Sequence, residues 1–470
     1  MKKVHFIGIA GAGMSATAKL YKDKNWKVTG SDEECYPPMS DYLKQQKITY
    51  TIGYNRKNIP KDTDLIVLGR NTKLNPNTNE EVKAALESGI EIKSFPEVLA
   101  NFSKKTDNIV VVGSYAKSTC TAMLTHCLVN ANKNPSYFIG AIPIGSKETS
   151  KIGKDNTFII EGDEYPASQE KNISKFLYLN VKDILLTAIE HDHVNVFPTI
   201  QDYLIPFKKL LKKIPSNGCI IACTDNSNVD KLIKKYKKKA ITYGINLKKN
   251  PIWCAKNIKY GKISSFDLFK NKEKLISLKT TLLGKHNIQN IVGVSALLLE
   301  KKLLTPKEIK NGIKTFQGIK RRLEIKTKKS KVPVYDGFGS SYDKAKSAIE
   351  AIKTHYYNCR LVVIFEPHSF SWRNKAKLFW YDDVFKKCDK VFVCNPSTQG
   401  KNTHDQLTQK EIINQIKLSG VNTEKICFNT GIEKLKNYLQ KTDVILLLSS
   451  GELEGLTNPI VNLVENSFSN

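Results

Sequence analysis

Twice in its N-terminal part the chain runs from a short apolar stretch through a glycine-led turn into a helix-forming segment. The first time, Val4 to Ile7 predicts a strand, and Gly8-Ile9-Ala10-Gly11-Ala12-Gly13-Met14 a turn. Ser15 to Lys24 then predicts a helix and Trp26 to Thr29 a second strand, closing on Gly30-Ser31-Asp32. A strand, glycine turn, helix and strand in this order open a Rossmann-type parallel sheet. The glycines let the backbone approach a phosphate, and the helix N-terminus favours the anion. A carboxylate after the second strand suits a ribose or base. The spacing G-x-x-G-x-G departs from the dinucleotide pattern G-x-G-x-x-G and disfavours a nicotinamide cofactor.

The second time, Ile109 to Val112 predicts a buried strand. Gly113-Ser114-Tyr115-Ala116-Lys117-Ser118-Thr119 follows, then an apolar helix from Cys120 to Val129. A lysine and a hydroxyl between strand and helix are the layout of a phosphate loop. Backbone N–H groups cradle the phosphate, the ammonium neutralises it and the hydroxyl can bind Mg²⁺. The spacing is not the full G-x-x-x-x-G-K-[ST], because Val111 and Ala116 stand where glycines are expected. Farther on, the predicted strands Thr157 to Ile160 and Asp183 to Ile189 end in Glu161-Gly162-Asp163-Glu164 and Glu190-His191-Asp192-His193. Acids and imidazoles at strand ends lie where open α/β sheets bind ligands. They make a Mg²⁺ site plausible and zinc improbable, since no third ligand has suitable spacing.

A third alternating pattern follows. Strands are predicted at Val332 to Tyr335, Leu361 to Phe365, Lys390 to Cys394 and Val444 to Leu448, with helices such as Asp343 to Lys353 and Gln409 to Leu418 between them. At 470 residues the chain is too long for one core. We expect an α/β protein of three domains: a Rossmann-like domain at 1–105, a central phosphate-loop domain at 106–318 and a small Rossmann-like domain at 319–470. The ten cysteines show no paired metal spacing; Cys219 and Cys223 are expected on one strand, as reduced thiols. No apolar run approaches the ~20 residues that span a bilayer. Glycines interrupt the apolar stretch after Met1-Lys2-Lys3, so a cytoplasmic location without membrane association is expected. The net charge of +29 is the largest compositional anomaly. The lysines are spread along the whole chain and no nucleic-acid motif accompanies them. A lysine-rich surface is expected rather than a nucleic-acid partner, and its field would help steer polyanionic substrates.

Taken together the motifs resemble the Mur ligase family over nearly the whole chain, in the family's order. His5 to Ser15 resembles the opening of the alanine-adding and tripeptide-adding members. Gly113 to Thr119 stands where the family has Gly-Thr-His-Gly-Lys-Thr-Thr. Glu161-Gly162-Asp163-Glu164 resembles its Glu-Ala-Asp-Glu, and Glu190 to His193 its acidic-x-Asp-His. Gly284-Lys285-His286-Asn287-Ile288-Gln289-Asn290 matches Gly-x-His-Asn-x-x-Asn, the most specific item, and Arg321-Arg322-Leu323-Glu324 matches Arg-Arg-x-Glu.

The resemblance implies an ATP-dependent ligase that joins the carboxylate of UDP-N-acetylmuramate to an amine through an acyl phosphate, in peptidoglycan precursor metabolism. It implies ATP and Mg²⁺ as cofactors and a monomer or weak homodimer. ATP is expected at Gly113, Ser114, Tyr115, Ala116, Lys117, Ser118, Thr119, Asn290, Arg322 and Asp336. Lys117, Glu161 and His193 are the expected catalytic residues, with Ser118, Glu161 and His193 on metal. Gly8, Gly11, Ala12, Gly13, Met14, Ser31 and Asp32 are expected on the uridine diphosphate. That division of labour implies domain closure before chemistry.

Tyr165, the run Ser174-Lys175-Phe176 and Phe365-Glu366-Pro367-His368-Ser369 resemble the members that attach an L-alanyl-γ-D-glutamyl-meso-diaminopimelate tripeptide, which is the expected amine. L-Alanine is the alternative, and a catalytically impaired nucleotide-sugar-binding relative a third. Two departures motivate the last. Ala116 replaces the glycine before the loop lysine, and Ser340-Ser341 replaces a histidine pair.

Overall fold

Three sheets carry the chain, in a computed structural model that describes every residue except 37–38, 72, 168–172, 194–195, 237–238, 399–404 and 470. The first is built from β1 (Lys3–Ile7), α1 (Ala12–Asp23), β2 (Lys27–Asp32), α2 (Met39–Gln45), β3 (Thr49–Ile52), β4 (Leu65–Leu68), α3 (Glu80–Glu87), β5 (Ile92–Ser94) and α4 (Phe95–Phe102). Its order is β3-β2-β1-β4-β5, all parallel. The direction of winding therefore reverses between β1 and β4, the switch point at which such sheets bind ligands. Gly8 turns the chain there at φ 86°, and its N–H donates to Ser31 O at 2.9 Å. The helix starts at Ala12 rather than Ser15, because Gly11 already accepts the first helical bond from Ser15 N–H.

The second sheet takes β6 (Asp107–Val112), α5 (Lys117–Asn130), β7 (Ser136–Phe138), β8 (Ser150–Lys151), β9 (Thr157–Glu161), β10 (Asp183–Leu186), α6 (Ile200–Lys213), β11 (Ile220–Cys223), α7 (Ser227–Lys235), β12 (Ile241–Gly244), β13 (Trp253–Lys259), β14 (Ser264–Lys270) and β15 (Glu273–Thr280). Its order is β15-β14-β13-β12-β11-β10-β6-β9-β7-β8. Helices α8 (Lys285–Glu300) and α9 (Pro306–Thr315) follow. The strand expected over Asp183 to Ile189 ends at Leu186, since Thr187 and Ala188 bend to hold the loop after β6. The helix expected from Cys120 begins at Lys117, its first turn being the loop's own Lys-Ser-Thr. Cys219 lies just outside β11 and half-exposed, whereas Cys223 is buried in it.

The third sheet comprises β16 (Arg322–Ile325), β17 (Val334–Phe338), α10 (Tyr342–His355), β18 (Arg360–Phe365), α11 (Phe370–Arg373), β19 (Lys390–Val393), α12 (Gln409–Leu418), β20 (Thr423–Lys425), α13 (Phe428–Tyr438), β21 (Asp443–Ser449) and α14 (Thr457–Phe468). Its order is β16-β17-β21-β18-β19-β20, with only the β16–β17 pair antiparallel. The continuous apolar run of β21 is explained by covered faces on both sides. Val444, Leu446 and Leu448 pack into one core, and Ile445 and Leu447 into the other.

By their contacts Met1–Asn257, Phe266–Lys279 and Ile288–Phe316 form one compact unit, which thus contains the first sheet and most of the second. Ile258–Ser265, Thr280–Asn287 and Gln317–Asn470 form the other. Among the described residues no helix is long and apolar enough to cross a membrane.

Candidate functional site

A cavity of about 550 Å³ opens at the switch point of the first sheet. Gly8, Gly11, Ala12, Gly13, Met14 and Asp32 line one end, and Gly140, Glu161 and Asp163 line the other. Its glycine end is braced by Asp32, whose Oδ2 accepts from Ala10 N–H at 2.7 Å and whose Oδ1 accepts from Tyr54 at 3.1 Å. Of the seven residues expected on the uridine diphosphate, Ser31 alone is not at the cavity wall. It is completely buried, and its hydroxyl donates to Glu81 Oε1 at 2.6 Å. A buried carboxylate must collect donors, and Ser31 is one of them. Between the two ends stand Arg70, Tyr165 and Lys175. The Arg70 guanidinium lies over the Tyr165 ring at 5.0 Å, and Lys175 pairs with Asp163 at 2.5 Å.

The loop after β6 carries the second group of expected residues. Gly113 has φ 138°, and a Cβ there would lie 2.3 Å from Thr187 Oγ1 and 2.7 Å from Ala188 O. Only glycine fits so close to the neighbouring strand end. Ser114 N–H donates to Ala188 O at 2.8 Å, and Thr187 Oγ1 donates to Tyr115 O at 2.6 Å. Tyr115 points outward and is exposed. Ala116 sits at φ 65°, ψ 0°, left-handed geometry that an L-residue occupies at a cost of roughly 1–2 kcal/mol. Lys117, Ser118 and Thr119 form the first turn of α5, all half-buried.

The Lys117 ammonium donates to Gly113 O at 2.6 Å and to both oxygens of Glu164, at 2.7 and 3.1 Å. Burial disfavours its charge, yet Glu164, Asp163 and Glu161 outweigh that and hold its pKa above the ordinary lysine value. Ser118 Oγ donates to Glu161 Oε1 at 2.8 Å, and Gly140 N–H donates to Glu161 Oε2 at 2.7 Å. Burial pushes the Glu161 carboxyl up despite Lys117 and these two donors. His193 adopts φ 54° and lies against Glu164, 3.5 Å from Nε2 to Oε1, with its ring 4.8 Å from that of Tyr165. Its pKa is raised, chiefly by the hydrogen bond to Glu164. The structure thus joins Lys117, Ser118 and Glu161 in one cluster and draws His193 to Glu164 rather than into the Ser118–Glu161 pair.

The Ser118 hydroxyl and Glu161 carboxylate are hard oxygen donors side by side, a set that suits Mg²⁺. Among the described residues no group of three or more His, Cys, Asp or Glu could hold a metal on its own.

Asn290 is buried on α8 in the first unit. Arg322 and Asp336 belong to the second. There Arg322 lies over the Phe338 ring at 5.1 Å, and Arg321 Nε approaches Asp336 Oδ1 at 4.0 Å. Burial raises the Asp336 carboxyl, and Arg321 offsets only part of that. Ser340 Oγ accepts from Lys344 at 3.0 Å, and Ser341 precedes α10 without a side-chain cap.

Two residues of the cluster carry no role in the sequence reading. Glu164 is 1% exposed, the fourth residue of the acidic motif, and its function as the Lys117 counter-ion depends on a partner far away in the chain. Tyr203, from α6, donates to Glu164 Oε1 at 3.1 Å and lies 3.0 Å from Ser114 Oγ. Nothing in an amphipathic helix marks that one tyrosine.

Comparison with known proteins agrees with this geometry. Residues 3–106 match the Mur ligase family catalytic domain, 111–298 the Mur ligase middle domain, and 321–451 the Mur ligase glutamate ligase domain. The UDP-N-acetylmuramate–L-alanine ligases of Hydrogenobaculum sp. and Endomicrobium trichonymphae are each 30% identical to the chain, with 96% of either partner covered. In fold the chain is similar to the UDP-N-acetylmuramate–alanine ligase of Thermotoga maritima, with TM-score 0.79, 20% identity, 99% of this chain and 100% of that one covered. It is also similar to a murein peptide ligase of Psychrobacter arcticus, with TM-score 0.68, 22% identity and all of both chains covered. The chain belongs to the Mur ligase family and is an ATP-dependent acid–amino-acid ligase of three α/β domains.

Proposed function

We propose that the protein joins L-alanine to the carboxylate of UDP-N-acetylmuramate. The carrying observation is a continuous cavity that runs from the glycine turn of Gly11 to Met14 to Glu161, whose carboxylate accepts from the Ser118 hydroxyl. A nucleotide-sugar bound along it would place its diphosphate at the N-terminus of α1 and its carboxylate toward the phosphate loop. Gly8, Gly11, Ala12, Gly13, Met14 and Asp32 contact the uridine diphosphate in this reading. Ser31 supports the turn from behind through Glu81. The domains take the parts expected of 1–105, 106–318 and 319–470, with the last supplying Arg322 and Asp336 to ATP and the central one Asn290.

In the first half of the reaction the muramyl carboxylate attacks the γ-phosphorus of ATP. Two anions about 4 Å apart repel by roughly 4 kcal/mol at an intermediate dielectric, so cations must intervene. Lys117 supplies one at the β- and γ-phosphates, and backbone N–H groups of the loop Gly113 to Thr119, other than that of Ser114, which Ala188 O already takes, cradle the phosphate oxygens. Ser118 and Glu161 would hold one Mg²⁺ and His193 would help hold a second, and these ions would neutralise charge on the transferring phosphoryl group. In the second half the amine displaces phosphate from the acyl phosphate. Positioning and electrostatic stabilisation dominate both halves.

L-Alanine displaces the tripeptide as the proposed amine because the full-length relatives carrying 30% identity are named alanine ligases. Tyr165 and Lys175, which resemble the tripeptide-adding members, line the nucleotide-sugar cavity. In this reading they touch the substrate that both reactions share and do not discriminate the amine. The test is phosphate release with UDP-N-acetylmuramate, ATP and Mg²⁺, run against L-alanine and the tripeptide in parallel. Turnover with alanine is expected. Turnover with the tripeptide alone would restore the other amine, and none with either would favour an impaired nucleotide-sugar-binding protein.

A further inference from the structure

Resting on the reading of Lys117 as the ATP-phosphate ligand, we infer that Tyr203 is a positioning residue that governs how firmly Glu164 holds the Lys117 ammonium, and hence how readily that ammonium reaches ATP. Tyr203 is completely buried beneath the phosphate loop. Its hydroxyl touches the loop itself, at Ser114 Oγ 3.0 Å away, and the lysine's counter-ion, at Glu164 Oε1 3.1 Å away.

A proton inventory gives the contacts a direction. The Glu164 carboxylate, ion-paired to Lys117, can only accept. The single tyrosine proton therefore goes to Glu164. Ser114 Oγ receives Glu190 N–H at 2.8 Å and has one proton of its own to place, on Glu190 O at 2.7 Å or on the Tyr203 oxygen. Tyr203 thus links the loop at Ser114 to Glu164, which accepts from both the tyrosine hydroxyl and the Lys117 ammonium.

The consequence follows from burial. A carboxylate that is 1% exposed must fill its lone pairs from the protein. Tyr203 fills one, and the ammonium most of the rest. All three ammonium donors are engaged here, one on Gly113 O and two on Glu164. Binding of a phosphate requires at least one to turn away. With the tyrosine hydroxyl gone, Glu164 has, among the described residues, the ammonium and His193 to draw on, and releasing Lys117 becomes harder.

The experiment measures the affinity of a nonhydrolysable ATP analogue with Mg²⁺, and separately of UDP-N-acetylmuramate, by calorimetry. It compares wild type, Tyr203→Phe, Glu164→Gln and the double variant. Tyr203→Phe should weaken the ATP analogue about ten-fold or more, the worth of one hydrogen bond to a charged group, and leave UDP-N-acetylmuramate within about two-fold. In the Glu164→Gln background the same change should have little effect, because coupled residues are not additive. An unchanged ATP-analogue affinity, an equal loss for both ligands, or a full loss persisting without Glu164 would each overturn the inference. A wild type that binds UDP-N-acetylmuramate but no ATP analogue would instead strike at the assignment of the loop. If Tyr203→Phe folds poorly, Tyr203→Met removes the same hydroxyl and serves in its place.

Discussion

Ala116 shows how much one Cβ can cost. Its φ of 65° at the start of α5 is a conformation glycine adopts freely and alanine does not. Replacing it by glycine relieves the strain, partly offset by the greater freedom of glycine in the unfolded chain. Ala116→Gly should therefore stabilise the protein by roughly 0.5–1 kcal/mol in denaturant unfolding and preserve or raise activity. A loss of stability would mean that the left-handed turn is not retained in solution. Lys117 belongs to the same scale. Its ammonium stands at the loop, bonded to Gly113 O and to Glu164. Lys117→Ala should abolish phosphate release, and appreciable residual turnover would remove Lys117 from the mechanism.

Elements are joined by polar groups that are costly to leave alone. Glu81, at the start of α3, is fully buried and accepts from His5 Nε2 on β1 at 2.8 Å, Ser31 on β2 at 2.6 Å, Asn58 at 2.7 Å and Asn55 N–H at 2.9 Å. Burial works against its charge, but these donors together hold the carboxyl below its ordinary range. His5 also bonds Thr29 through Nδ1 at 2.8 Å. Glu81→Ala strands the whole set and should cost about 3–5 kcal/mol, read as a lower denaturation midpoint. A second network sits on the third sheet. Lys390 of β19 is 1% exposed and bonds Glu424 of β20 and Asn422. Lys390 and then Lys434 depress the Glu424 carboxyl from 4.5 to about 2. A depressed folded-state pKa contributes stability that is complete above the ordinary value and lost as pH falls through the folded one. Glu424→Gln should therefore lower stability at pH 7 and lessen the further loss between about pH 5 and pH 2. Parallel acid-unfolding curves for the two proteins would contradict this.

At the scale of the molecule, one cavity serves the first sheet and the second, and all the residues that line it lie in one compact unit. A ligand that fills it binds the folded state alone. UDP-N-acetylmuramate at a hundred times its dissociation constant should stabilise that unit by about 2.7 kcal/mol. UDP without the muramyl group should do the same only at a higher concentration, if the sugar end contributes to binding. A shift in unfolding temperature that ignores the nucleotide-sugar would place the substrate elsewhere. The +29 charge is spread over this same molecule as lysines along every segment, and it adds attraction for polyanionic substrates without forming a site.

The alternation of apolar runs with glycine turns and helices determined the α/β class. The order of motifs along the chain determined the family, since both depend on local spacing that a sequence displays. The helix Gln409–Leu418 appears in the structure with the bounds its pattern predicts, because a Thr408–Glu411 capping box and amphipathic spacing are local signals. The fold alone decided which of the marked polar groups face a cavity and which face one another. Ser31 and Asp32 are neighbours on one strand, yet alternate side chains point to opposite faces. Ser31 is consumed by Glu81 in the interior and Asp32 lines the pocket. Glu164 and Tyr203 reach Lys117 and Ser114 from distant parts of the chain. Their pairing is set by the burial of charge, which depends on every element packed around it and leaves no period or spacing in the sequence.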